Sequence, residues 1–554
     1  MAEILQFEKN QKRYLNIAES RYKEGDLEGA LLALFDGEKV SPSYEIYREI
    51  AKIYSQMDLL EQSNKYWFKY MFCAPDNEVS ISYEELAINY YYLDNLWAAG
   101  YYMHKKLSVD GYINRDDIDK EVLDFFSGEE LRKNAYRIVY PFDKANYQPE
   151  IKTAKRALRA GDFKHAVNSL EKVPSACLDL ESDGEFTLAL VMNDELDRAE
   201  QHARQNIERF GPNVGAYCNL STIYQMKEDE DKAMYYYQKA LSLRKGDEDE
   251  PYKIATCSIE LSDHITTKEC IEKILQDRPY ETPMRFFYAI ALINLGDYTG
   301  AINQLKKAYR LDPTDYSVQY YLDIAKGLKD KTCSEKILPI AYVKELPKKV
   351  VQARQKTIKE MLKNSKNLSS EIRKNFKILK WGLEFGDEQT VKASAMLLST
   401  RSAKKFFEVA IDVLLDSSQK LETKQLILYA LILKGYKGKI GFVLGSFYSS
   451  YVQKNMAFDK GKEVGTYFSA YALCMSRMAF YGVEDLSKIP QTADRVYNGL
   501  KNQISEAEVN NEEIAGLILL ECGYEDFDKV EKVCKVFEVG QKKLSLLKSM
   551  LQQK

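Results

Sequence analysis

Four histidines, His104, His165, His202 and His264, are the only imidazoles available for acid–base or metal chemistry near neutral pH. They lie in separate stretches, with no His-x-x-x-His or Cys/His spacing that would put two ligands on one helix face, so each reads as a surface residue. Nine cysteines, an odd number without a Cys-x-x-Cys pair, read as small core residues in a reducing compartment. The glycine-bearing stretch from Gly435 to Ser446 looks like a phosphate loop only superficially, because it lacks Gly-Lys-Ser/Thr at the required spacing and a preceding strand. It is expected to form a helix–helix corner. The acidic runs Glu228 to Asp231 and Asp247 to Glu250 lack the alternating ligands and glycine of a calcium loop and read as solvated turns. No nucleophile elbow and no paired acid and base are visible. The chain is therefore read as not an enzyme, with no catalytic residue, no metal and no cofactor assigned. An unrecognised all-helical enzyme beyond residue 366 stands as a third reading.

Charge offers a different chemistry. Residues 331–380 hold fourteen Lys or Arg against Glu335, Glu345, Glu360 and Glu371, a local excess of +10 in a chain whose formal charge is −4. Val350, Val351, Ile358, Met361 and Leu362 keep helical spacing there, which predicts one or two amphipathic helices with a basic face. Lys348, Lys349, Arg354, Lys356, Lys359, Arg373, Lys374 and Lys377 are the candidate patch. Such a patch could contact nucleic acid, with an affinity steeply dependent on salt, or an acidic protein. A solvated linker, or an internal contact with the acidic part of the chain, is the reading preferred over it.

These residues need elements to position them. At 554 residues the chain exceeds one compact core, and 45% hydrophobic with 29% charged residues excludes wholesale disorder. The first residues lack the apolar stretch of a signal peptide and no run approaches the length of a membrane span, so a cytosolic protein without membrane contact is expected.

The strongest internal signal is self-similarity. Gly25-Asp26 is preceded seven residues earlier by Ala18 and followed by Ala30 and Pro42. The spacing recurs around Asp58, Asp94, Gly161, Asp194, Glu228, Gly296 and, as a weaker copy, Ile265, giving steps of 33, 36, 67, 33, 34, 37 and 31. The step of 67 is two periods, so a degenerate unit is expected near residues 113–146, with helices at Asp116 to Phe126 and Glu129 to Tyr140. The small residues on either side of the turn let two antiparallel helices cross closely. Glycine accepts the left-handed conformation that ends the first helix, aspartate caps the second, and proline stops it. Large residues between, such as Tyr47, Ile50, Tyr54 and Trp67, fill the space at helical spacing. The forty tyrosines, in clusters such as Tyr90 to Tyr92 and Tyr235 to Tyr237, read as repeat packing and not as a base-stacking platform.

The pattern resembles the tetratricopeptide repeat over roughly residues 11–313. The fold class expected is all-α, an α-solenoid of such helix pairs followed by an all-helical C-terminal domain. Residues 1–330 would form about nine units and a capping helix from Tyr316 to Leu328, 331–366 a basic linker or amphipathic helix, and 367–554 the helical domain. Within the last, Asp387 to Gly435 is similar to HEAT-type repeats, and helices are expected at about 462–481, 489–504, 510–522 and 525–551. Self-association through 525–551 is compatible with its apolar stripe, though nothing signals it specifically.

The resemblance implies that the first helix of each pair lines a groove holding a partner's peptide or helix. In units one and two the groove places supply Lys12, Glu19, Arg48 and Lys52. In units six, seven and nine they supply Leu188, Met192, Met226, Phe286 and Ile290, an apolar and adaptable lining of the kind that marks partner sites. The alternative is that the solenoid buries these side chains. Leu15, Glu19, Phe286, Phe287 and Ile290 stand where arrays that grip acidic chaperone tails carry lysine and asparagine, so that ligand is not expected. The function read from the sequence is a protein–protein interaction scaffold or adaptor, with the partner's identity left open.

Overall fold

The computed structural model describes residues 2–93, 95–110, 154, 157–158, 161–171, 180–244, 250–363, 368–401, 403–453, 465–483, 486–505 and 508–552. The degenerate unit expected at 113–146 lies outside the described residues, as does Asp94. The chain divides into two compact units. One combines residues 1–56 and 60–144 with 347–554; the other comprises 145–346 with 57–59.

Helix pairs dominate both. The described turns between paired helices place one residue in the left-handed region, at Gly25, Asp58, Gly161, Asp194, Glu228, Ser262 and Gly296. The sequence expectation holds at six of these. The weak copy assigned to Ile265 is corrected to Ser262, because Asp263 there accepts the Thr266 N–H as the helix cap. The same capping geometry recurs where Asp26 accepts from Gly29 N–H, Asp162 from His165 N–H, Asp229 from Lys232 N–H and Asp297 from Gly300 N–H. Each such cap satisfies a backbone donor that a helix start leaves unpaired, worth about 1 kcal/mol. The small residues do what the spacing required: Ala30, Ala51, Ala87, Ala99, Ala166, Ala199, Ala233, Ala289 and Ala301 are all fully buried.

In the unit formed by 145–346, the helices Leu180–Met192, Val214–Met226, Glu250–Glu260 and Thr282–Asn294 are first helices, followed by Leu196–Phe210, Glu230–Ser242, His264–Asp277 and Tyr298–Leu311. The helix Tyr316–Lys329 ends the array, as expected of a cap.

The other unit contains a departure from the expected all-helical C-terminal domain. Its helices Glu388–Arg401, Ala403–Leu415 and Leu421–Leu433 are followed by an antiparallel hairpin, β1 Gly438–Leu444 and β2 Phe447–Gln453. The helix–helix corner expected at Gly435 to Ser446 is thereby corrected. Ile440, Phe442, Val443 and Leu444 are buried, and Gly445 takes the left-handed conformation at the reversal. The hairpin is seated on the helices Leu60–Cys73 and Leu96–Val109 of the same unit. The Tyr102 hydroxyl donates to the Ser446 carbonyl at 2.8 Å and accepts the Tyr448 N–H at 3.0 Å, while Phe68 stacks on Tyr448 with centroids 6.4 Å apart. Helix Ala403–Leu415 and the loop after it add two ion pairs, Lys69 to Asp412 at 3.4 Å and Lys65 to Asp416 at 2.8 Å.

The long final helix expected at 525–551 is two helices, Val530–Phe537 and Gln541–Gln552. Glu538 between them has φ +56, which ends the first helix and turns the second so that Leu544 and Leu547 are buried within the unit. Those residues of the stripe are therefore spent on the fold. Among the described residues no helix is long and apolar enough to cross a membrane.

Candidate functional site

Because every turn in residues 161–296 is fixed by its left-handed residue, equivalent places on successive first helices can be compared directly. Two places before the turn stand Met192, Met226, Glu260 and Asn294; six before it stand Leu188, Thr222, Thr256 and Ile290. Neighbouring first helices pack side by side from Leu180–Met192 through Glu250–Glu260. On these three helices the residues therefore form two rows along one face.

The apolar start of those rows is open. Leu188, Met192 and Met226 are 41%, 47% and 46% exposed. Covering what remains exposed of each would contribute about half of the ~1.5–3 kcal/mol that full burial of such a side chain brings, a gain this unit by itself does not take. Next along the face, the Thr222 hydroxyl donates to the Glu260 carboxylate at 2.6 Å, and burial raises the pKa of Glu260.

Phe286 and Ile290, expected in the groove, are fully buried and are corrected to core residues. Phe286 meets the ring of Tyr321 from the capping helix edge-on at 5.3 Å. Ile290 shares a packed cluster with Val318 and Ile340. The array continues past them, so the next helix takes the face that would otherwise be free.

On the first helices Ala2–Lys23 and Tyr44–Gln56 the candidates are charged: Arg48 donates to Glu49 at 2.9 Å and Lys52 lies 3.7 Å from the same carboxylate. Glu19 pairs with Lys23 at 2.6 Å. This face is charge-compensated by its own neighbours, and such exposed pairs add little to stability.

The basic candidates separate into two groups. Helix Lys348–Lys363 buries Ile358 and Met361 and packs on helices Phe376–Phe385 and Glu388–Arg401. Lys348, Lys349, Lys356, Lys359 and Lys363 are exposed, and at about 100° per residue they share roughly one quadrant of the helix. Arg373, Lys374 and Lys377 are exposed as well. Arg354 does not belong to the stripe; its guanidinium lies over the Trp381 ring, 5.1 Å from the centroid.

Two histidines read as surface residues are packed instead. His202 meets Phe186 edge-on at 4.6 Å and bonds Thr187 at 3.0 Å, while His264 Nδ1 lies 2.8 Å from the Tyr342 hydroxyl. Burial lowers the pKa of both. Of the cysteines, Cys218, Cys257, Cys270, Cys474 and Cys522 are buried as expected, whereas Cys73 is exposed. Among the described residues no group of three or more His, Cys, Asp or Glu could hold a metal ion.

A face built from rows on successive antiparallel helix pairs, with a turn every 33 or 34 residues from Gly161 to Gly296, defines a helical-repeat α-solenoid. The tetratricopeptide repeat model matches residues 214–247 and 283–315. Tetratricopeptide repeats are therefore present at residues 214–247 and 283–315, and the turns at Gly25, Asp58, Gly161, Asp194 and Ser262 have the same left-handed geometry.

Solved structures similar to it include a tetratricopeptide repeat protein from Parabacteroides merdae, at 12% identity over 57% of this chain and 99% of that one, with a TM-score of 0.24. Another is the P58(IPK) tetratricopeptide domain, at 14% identity over 59% and 99%, with a TM-score of 0.22. Yeast Tom70 is 14% identical over 76% and 95%, with a TM-score of 0.27. No curated protein matches the sequence.

Proposed function

We propose that this chain is a protein-binding scaffold whose first-helix face around Leu188, Met192 and Met226 receives an apolar segment of a partner protein. The observation that carries the reading is the exposure of these three side chains on two packed first helices, with Met192 and Met226 at equivalent places. Tetratricopeptide arrays present such rows to peptides or helices, and methionine suits a surface that adapts to its ligand. The role is one of holding and not of turning over a substrate.

Selection of a phage-displayed peptide library on the native chain tests it. Enriched peptides are expected to carry apolar anchors and to bind the Met192→Glu/Met226→Glu variant at least about tenfold more weakly, the equivalent of 1.4 kcal/mol. Thermal melts of the two chains should coincide, since both sites are half-exposed. Equal binding by the variant would remove this face from consideration.

A second reading is favoured by the outward lysine stripe of helix Lys348–Lys363, which suits a polyanion. Titration with single-stranded RNA should then show an affinity falling steeply between about 50 and 200 mM salt, with the slope reduced in Lys349→Ala/Lys356→Ala/Lys359→Ala. Absence of saturable binding at the lower salt would leave the stripe as a solvated face.

A further inference from the structure

Beyond the capping helix the chain does not leave the array. Residues 338–345 form no regular element, with bends at Pro339, Tyr342, Lys344 and Glu345 and a tight turn in which the Val343 N–H donates to the Ala341 carbonyl at 2.9 Å, yet burial alternates along them: Ile340 is buried and Leu338, Tyr342 and Lys344 are half-buried, while Pro339, Ala341, Val343 and Glu345 are exposed. Every second side chain thus meets the array, while the bends keep the segment from being a regular strand. No strand pairs with it; side chains of the repeat array hold it instead.

The grip is specific to backbone and side chain alike. The Asn294 amide donates to the Ile340 carbonyl at 2.8 Å, and its oxygen accepts the Ile340 N–H at 2.7 Å. One asparagine thus satisfies both polar groups of one peptide residue, as a neighbouring strand would. Tyr342 enters beside Phe287, ring centroids 6.4 Å apart, with its hydroxyl on His264, and burial pushes its pKa up to about 12. Lys344 pairs with Asp315 at 2.9 Å, and its carbonyl accepts from the Ser317 hydroxyl at 3.4 Å. Asn294 stands at the same repeat place as Met192 and Met226.

We propose that residues 338–344 are a resident pseudo-ligand, and that the surface beneath them is a second recognition site for a partner segment of aliphatic-x-aromatic-x-basic chemistry, which binds by displacing them. The occupant is read from the resident segment. A peptide residue is read by Asn294, an aromatic side chain fills the place beside Phe287, and a cation two residues further meets Asp315. The affinity of any partner is reduced by the fraction of time the segment is seated, so the segment sets a threshold for binding. This inference is independent of the open face at Leu188 to Met226, since the two involve different residues.

The test uses the full-length chain and a fluorescent peptide with the sequence of residues 336–346. Binding to the native chain should be weak. The Ile340→Asp/Tyr342→Ala variant, whose own segment no longer seats, should bind the peptide at least about tenfold more tightly, and adding Asn294→Ala should cost about tenfold again. Equal binding by native and released chains, or indifference to Asn294→Ala, overturns the proposal. A concentration-dependent dimer of the released chain would assign the site to a second copy and overturn it equally. Hydrogen exchange on the native chain covers the case in which the released variant does not fold. The Ile340 amide should exchange at least about tenfold faster than the buried amides of helix Thr282–Asn294, because the segment opens locally. Exchange of both at one common rate would make the segment an integral part of the fold and refute displacement.

Discussion

At pH 7 the Lys424→Met variant is expected to be more stable than the native chain by about 3 kcal/mol, an advantage that shrinks and then reverses as the pH approaches about 10.5. Lys424 is fully buried, its amine donating to the Val443 carbonyl in the hairpin. Burial lowers its pKa from 10.5 to about 7, against the pull of Asp416 in the other direction. Between those values the unfolded chain binds a proton that the folded chain does not, so native stability rises with pH across the window. Below about 7 both states hold the proton and the full burial cost is present. Methionine has a similar length and carries no such cost, and it gives up only the amine–carbonyl hydrogen bond, worth about 1–2 kcal/mol. Urea unfolding at pH 6, 7, 8.5 and 10 measures the difference directly. A pH-independent difference would mean that Lys424 keeps its proton in the fold.

The opposite sign is expected at Lys69. Its ammonium lies 3.0 Å from Glu38 and 3.4 Å from Asp412, and it sits over the rings of Tyr47 and Tyr66 at 5.4 and 5.0 Å. Burial opposes its charge, yet the two carboxylates prevail and hold its pKa well above the ordinary lysine value. Lys69→Met leaves Glu38 and Asp412 without their cation, at a cost of about 3 kcal/mol. The same unfolding measurement reads it, with the Glu38→Gln/Lys69→Met/Asp412→Asn triple variant expected to recover most of the loss. If the triple variant is as unstable as the single one, the network is not what the lysine supports. The two lysines differ only in what surrounds them: one meets a carbonyl in an apolar core, the other two acids and two ring faces.

Much of the array was legible in the sequence because its devices are local. A residue able to take positive φ, a capping aspartate and a small residue at fixed distances specify a helix pair, and they recur. The misplacement at Ile265 shows the limit. Ser262 carries the left-handed turn without looking like a turn glycine, and the error of three residues hid Glu260 from the row it shares with Met192 and Met226. Asn294 stands two places before its turn, as Met192 and Met226 do, but its polar side chain does not continue their apolar row. Phe286 and Ile290 were misread because exposure depends on what the chain does later, and the covering residues, Tyr321 and Ile340, lie beyond the repeat. The hairpin at Gly438 to Gln453 escaped because β1 is a short apolar run with glycines, which periodicity does not distinguish from a helix corner. The segment at 338–344 has no helical period, and its alternation runs over only eight residues, 338–345.

The discontinuity of the first unit bears on how the chain is made. Residues 60–109 present Phe68, Tyr101 and Tyr102 to a hairpin whose sequence lies some three hundred and fifty positions downstream. At about 5–20 residues per second, that aromatic surface waits on the order of tens of seconds at the ribosome before its cover is translated. Cutting the gene after the last repeat, where sequence periodicity ends, would leave the surface bare for good.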